Sequence, residues 1–333
     1  MAMKKNWLLT IGLLFMLSLV LVACGDAEDE SASNDGGGDG GGSDPEYISF
    51  LTGGTSGTYY PLGGAIATII DQETDIQPDA VSSNASADNI IALVDGEAEI
   101  AFTQTDVAAD AAEGINAFDE PVDTVLGLGS LYPETIQIVT VEDSGIESVE
   151  DLEGKKVSVG APGSGTYINA EQILEVHDMT MDDIDAQNLD FGESAGGIKD
   201  GNIDAAFITA GTPTGAVEEL QATSDVVILP IEEDKAQALI DKYPYYAEDT
   251  IPEGTYDLEE DLDTVAVLAM LVVTDELSED AVYDMTKAIY ENSDDIAHAK
   301  GELISIDSAL DGIGIEMHPG ALKYYEEEGL EIE

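Results

Sequence analysis

The chain has 333 residues, enough for about two domains at roughly 150 residues each. Its 71 acidic side chains face 10 basic ones, a formal charge of −61, yet 44% of the residues are hydrophobic. That apolar share sustains a packed core, so the acidity belongs to the surface and does not signal disorder. An acidic surface repels nucleic-acid phosphates and anionic lipid headgroups, which removes both from the expected partners. Every basic residue is lysine, so no bidentate guanidinium is available to hold an anion.

In chain order, Lys4 and Lys5 precede the apolar run from Trp7 to Val20. Residues 1–23 therefore read as an export signal, too short in its apolar part for a stable span of about 20 residues. Leu21-Val22-Ala23-Cys24 resembles the lipobox of bacterial lipoproteins, in which the cysteine is lipidated and becomes the new N-terminus. Cys24 is the only cysteine, so no intramolecular disulfide can form. Residues 24–45 are rich in Gly, Asp and Ser and read as a flexible acidic tether. The body is thus expected outside the cytoplasm, lipid-anchored to the outer face of the cell membrane. Charge of this density also predicts a host adapted to salt, with an alkaline habitat as the alternative.

The body carries an internal echo. Tyr47-Ile48-Ser49-Phe50-Leu51 alternates like a strand and enters Thr52-Gly53-Gly54-Thr55-Ser56-Gly57-Thr58-Tyr59-Tyr60. A helix is predicted next, with Leu62, Ile66, Ile69 and Ile70 on one face. Lys156-Val157-Ser158-Val159 likewise enters Gly160-Ala161-Pro162-Gly163-Ser164-Gly165-Thr166-Tyr167, followed by helical Ile168, Ile173, Leu174 and Val176. The shared Ser-Gly-Thr-Tyr is offset by 108 positions, from Ser56 to Ser164. Downstream, Asp95-Gly96 leads into Ile100-Ala101-Phe102 as Asp200-Gly201 leads into Ala205-Ala206-Phe207, offset by 105. Each half reads as strand, glycine loop, helix, second helix, glycine, strand and polar loop, the pattern of two α/β lobes with mostly parallel sheets. Ligands then belong at the carboxyl ends of the strands, in a cleft between the lobes. Ile136–Val141 and Val265–Thr274 are the expected crossing strands, which divides the chain into lobe 1 (46–135 plus 265–333) and lobe 2 (136–264). The tail is expected to rejoin lobe 1 through a helix with Val282, Met285, Ile289 and Ile296 inward.

Catalytic signatures are weak. The glycine loop before Thr166 lacks the lysine of a nucleotide-binding P-loop, no Gly-x-Ser-x-Gly elbow occurs, and Asp178–Asp185 lacks the glycine and glutamate of a calcium loop. His177, His298 and His318 show no metal spacing and read as solvated surface residues. No enzyme activity, cofactor or metal is expected. Tyr59, Tyr60 and Tyr167 flank the glycine loops and could wall a small ligand, whereas Tyr243, Tyr245 and Tyr246 read as a packed turn.

Thr52-Gly-Gly-Thr-Ser-Gly-Thr-Tyr-Tyr-Pro-Leu-Gly-Gly-Ala-Ile-Ala67 resembles the signature of TAXI proteins, the solute-binding subunits of one branch of TRAP transporters. Ser83–Asn89, Phe102–Asp106, Leu128–Gln137, Gly163–Ala170 and Ala210–Pro213 are similar to further blocks of that family. The resemblance implies a two-lobed, type II periplasmic-binding-protein-like fold. It implies capture of a small organic anion (glutamate, 2-oxoglutarate or another dicarboxylate) and delivery to a TRAP membrane permease, by a protein expected to be monomeric. The alternatives are a binding protein for a zwitterionic osmolyte and an extracellular sensor subunit for a membrane kinase.

With no arginine, the anion is assigned to N–H groups and hydroxyls at two helix starts: Thr55, Ser56 and Thr58 in one lobe, Ser164 and Thr166 in the other. Tyr59, Ser86, Asn89, Gln104 and Thr212 are expected to read the rest of the ligand. All eight lysines after Cys24 lie outside these loops and are expected to matter little.

Overall fold

The alternating apolar residues of both halves do form strands, and in a repeated order. The structure is a computed structural model that describes residues 44–331. The signal segment 1–23, Cys24 and nearly all of the tether 24–45 lie outside the described residues.

The first half runs β1 (Tyr47–Leu51), α1 (Tyr59–Glu73), β2 (Gln77–Val81), α2 (Ser86–Val94), β3 (Ile100–Gln104) and α3 (Thr105–Glu113). A long strand, β4 (Val125–Val141), leads to the second half. There β5 (Lys156–Ser158), α4 (Gly165–Val176), β6 (Asp185–Gln187), α5 (Phe191–Lys199), β7 (Ala205–Ala210) and α6 (Gly215–Gln221) repeat the sequence of elements. The chain continues through β8 (Val226–Leu229), α7 (Glu233–Lys242), β9 (Ala247–Ile251), β10 (Leu262–Thr274), α8 (Glu279–Glu291) and α9 (Pro319–Glu328).

Among the described residues the strands form one sheet in the order β2-β1-β3-β10-β4-β7-β5-β6, with β8 on β4 and β9 on β10. The triplets β2-β1-β3 and β6-β5-β7 are each parallel, so each lobe has the same core topology. Between them, β4 and β10 pair antiparallel from Ala266↔Thr135 to Thr274↔Val125. β4 is one unbroken strand: the crossing segment expected from Ile136 begins eleven residues earlier, at Val125.

Period-two alternation places successive side chains on opposite faces of the sheet. Phe50, Ile100 and Phe102 pack against Leu62, Ile66 and Ile70 of α1 and Val282, Met285 and Ile289 of α8. On the other face Ala101 meets Ile90, Leu93 and Val107 of α2 and α3. In the second half Phe207 joins Ile173, Leu174 and Leu239, while Ala206 and Ile208 join Ile198, Val217 and Leu220. The parallel strands of each lobe are thus covered on both faces, as parallel pairing requires. Ile296 is buried as expected but lies beyond the end of α8.

Two histidines depart from expectation: His177 and His318 are buried. His177 closes α4 with Nδ1 2.8 Å from the Ile173 carbonyl, and His318 begins α9, its Nδ1 accepting from Gly320 N at 3.1 Å. Helix ends leave unpaired main-chain groups, and an imidazole satisfies them as well as it does water. Tyr246 of the expected packed turn is buried. No helix among the described residues is long and apolar enough to cross a membrane.

Candidate ligand cleft

The repeat places the starts of α1, α2, α4 and α5 around one cleft between the lobes. Its lining includes Thr58 and Tyr59, Ala85 and Ser86, Ser164 to Thr166, and Asp190 and Phe191. The first N–H groups of a helix have no intrahelical acceptor and carry about half a positive charge, so four converging starts favour negative groups. Ser164 caps α4, its Oγ accepting from Tyr167 N at 3.4 Å.

The lobes touch on both sides of this cleft. Gly163 O accepts from Ala87 N at 3.0 Å and Asp88 N at 3.2 Å. Ala216 N donates to Ser56 O at 3.0 Å, and Thr58 Oγ1 donates to Gly211 O at 3.2 Å. Asn169 Nδ2 donates to Asp106 Oδ2 at 2.9 Å and to Tyr246 Oη at 2.8 Å. Ile168, on α4, packs into the α2–α3 cluster and not into its own lobe. These contacts describe a closed arrangement. Gly165 makes it possible: a Cβ there would sit 1.6 Å from Gln104 Oε1 and 3.0 Å from Ser86 Oγ.

Of the residues expected to bind, Thr58, Tyr59, Ser86, Gln104, Ser164 and Thr166 line the cleft. Ser56, Thr55, Asn89 and Thr212 are not in the lining. Ser56 serves the lobe contact, approaching Gly192 as well as Ala216. Thr55 is exposed. Asn89 is fully buried, and its Nδ2 ties Thr52 O at 2.9 Å to Phe102 O at 2.7 Å, which fixes α2 to the sheet. Thr212 Oγ1 is buried without a partner.

Several residues of the cleft escaped the sequence reading. Asp190, Phe191 and Thr209 line it, and so does Glu134, a buried acid on β4. Glu134 Oε2 lies 2.9 Å from Tyr59 Oη and 3.0 Å from Gln104 Nε2, and Oε1 lies 3.4 Å from Tyr132 Oη. Burial raises its pKa to about 8, against the lowering effect of the Gln104 and Tyr59 hydrogen bonds. Asp106 is likewise pushed up to about 7 by burial. Lys300, half-buried, packs its stem beside Gly211 and lies within electrostatic reach of Asp249 and Glu134. Lys300 lies outside the loops in sequence, as expected, but the fold brings its stem against one of them. Among the described residues no group of three or more His, Cys, Asp or Glu side chains could hold a metal ion.

A sequence model of the NMT1-like family matches residues 50–329, most of the chain. The chain belongs to this family. Solved structures place the NMT1-like protein among two-lobed folds of periplasmic-binding-protein type. A protein from Bordetella bronchiseptica RB50 is similar with a TM-score of 0.52 and 17% identity, over 85% of this chain and 82% of that one. A structure described as a periplasmic transporter matches at 0.51 and 12%, over 84% and 92%. The alkanesulfonate-binding protein from Xanthomonas axonopodis pv. citri, bound to MOPS, scores 0.49 at 13% identity, over 85% and 84%.

Proposed function

We propose that this NMT1-like protein is an extracytoplasmic solute-binding subunit of the TAXI type, which captures a small organic anion and delivers it to a TRAP membrane permease. The lobes are 46–135 with 265–333 and 136–264, and a lipid on Cys24 holds the protein at the outer face of the membrane. The observation that supports capture is the convergence of four helix starts on a cleft that hydrogen bonds between the lobes flank on both sides.

A carboxylate buried without arginine needs its lone pairs filled. Ser164 and Thr166 at the start of α4 offer hydroxyls beside main-chain N–H groups, whereas the Thr58 hydroxyl at the start of α1 already donates to Gly211 O. Tyr59, Ser86 and Gln104 contact the remainder of the ligand. Release requires only that the cross-lobe hydrogen bonds part, which exposes the ligand to a membrane partner.

A thermal-shift screen of dicarboxylates, amino acids and 2-oxo acids, followed by small-angle scattering with and without the best hit, tests this reading. Stabilisation by a carboxylate with a smaller radius of gyration is expected. Stabilisation by none of them refutes it.

A further inference from the structure

We infer that Glu134 is a cation subsite, so that the cleft selects a carboxylate bearing an N–H ammonium group on the neighbouring carbon, and that binding expels one proton from the protein. This deepens the function proposed above and rests on it.

Three observations carry the inference. First, the lining of the cleft includes a buried carboxyl and two buried oxygens without partners. Glu134 lines it, and so do Gln104 and Thr209, whose Oε1 and Oγ1 are buried with no partner. Gln104 is 2% exposed and Thr209 5%. A buried acceptor without a donor is costly. A ligand with several N–H bonds on one nitrogen brings donors to such acceptors, Glu134 first among them. A plain dicarboxylate offers none, and a quaternary ammonium offers none.

Second, the two charges fit one small molecule. The Gln104 amide spans the gap: Nε2 donates to Glu134 at 3.0 Å, and Oε1 lies against Gly165, at the helix start assigned to the carboxylate. Cation and anion subsites are therefore one amide group apart, which matches an ammonium and a carboxylate on the same carbon.

Third, the hydrogen count favours a proton on Glu134 when no ligand is present. Tyr59 Oη has one hydrogen and two acceptors, Thr103 O at 2.9 Å and Glu134 Oε2 at 2.9 Å. If Glu134 is the neutral acid, it donates to Tyr59, and Tyr59 donates to Thr103. Both hydroxyl hydrogens then have an acceptor. The neighbours agree: Tyr59, Tyr132 and Gln104 are neutral, Asp106 opposes a second negative charge, and Lys300 is in reach without forming an ion pair. Glu134 accordingly titrates near 8. An incoming ammonium keeps its own protons, and Glu134 loses its proton to solvent. The bound pair is R–NH3⁺ with the carboxylate.

Calorimetry on the protein, in molar NaCl, tests this with pairs that differ only at the amine, such as L-glutamate with 2-oxoglutarate and L-leucine with 4-methyl-2-oxopentanoate. The amino acid of at least one pair is expected to bind about thirtyfold tighter or more than its 2-oxo acid. Its affinity should rise nearly tenfold per unit from pH 6 to 7.5 and level above about 8. At pH 7 the heat should differ between phosphate and Tris by the ionisation of about one proton, a readout that needs no variant. Glu134→Gln, checked for folding by circular dichroism, should abolish the proton release and the preference for the amine. Glycine betaine should not bind. Equal or tighter binding of a 2-oxo acid without proton release, or tight binding of betaine, overturns the subsite but leaves carboxylate capture standing. Binding of no member of any pair overturns the proposed function itself.

Discussion

Asp106 and Asn169 meet across the lobe boundary. The Asn169 amide, on α4, donates at 2.9 Å to an Asp106 carboxyl that is 3% exposed at the start of α3. Closure thus buries a carboxyl group whose second oxygen has no partner. Burial raises Asp106 to about 7. A raised pKa gives stability that is complete below the ordinary carboxylate value and is lost as pH climbs through the folded value. The closed protein should therefore lose stability between about pH 4 and pH 7 through this residue. Because the other carboxylates also titrate there, the comparison is between wild type and Asp106→Asn. Melting temperatures should converge at low pH and separate as pH rises, with the variant the more stable by pH 8. Parallel curves would show that Asp106 is not neutral in the closed form.

The hydroxyl of Thr166 lines the cleft at the first turn of α4. Thr166→Val keeps the shape and removes one donor, so affinity for the stabilising carboxylate should fall by about 1–2 kcal/mol, roughly 5–30-fold. Asn89→Ala should act differently, lowering the melting temperature because it frees two main-chain carbonyls. Calorimetry and melting on both variants separate the two roles.

Gly165 permits the lobes to approach. Adding a methyl group in Gly165→Ala forces Gln104 away, and the backbone of α4 itself accepts alanine without strain. The expected result is an affinity lower by at least about tenfold and no contraction on adding ligand. Scattering that still contracts would place the point of contact elsewhere.

The charge of −61 has a direct consequence for stability. Like charges interact over about 8 Å at 0.15 M salt and about 3 Å at 1 M. The melting temperature should rise steadily with NaCl between these concentrations, and a flat or falling midpoint would contradict salt adaptation.

The repeated lobe was legible because β1 and β5 enter similar glycine loops, and because Phe102 and Phe207 follow similar helix-ending glycines. Two strands left no such trace. β2 reads Gln-Pro-Asp-Ala-Val and β6 only Asp-Ala-Gln; both lie at the ends of the sheet, where proline and polar residues are tolerated. Loop membership identified Thr58, Tyr59, Ser86, Gln104, Ser164 and Thr166, but it does not fix direction: Asn89 turns into the lobe and Thr55 into solvent. Glu134 had a signal that went unused. It is one acid inside the otherwise uncharged strand Val125–Val141, and a carboxyl on such a strand can escape burial only by chance of register.

Because β4 and β10 run through both lobes as a paired ribbon, the lobes can part by twisting that ribbon. Its ladder need not break. Amide protons should record this as two populations. Those of Val267 to Val273 would stay protected from deuterium whether the cleft is open or shut. Those of Ala87, Asp88 and Ala216, bonded only across the gap, would exchange each time it opens and would fall silent when a ligand holds it closed.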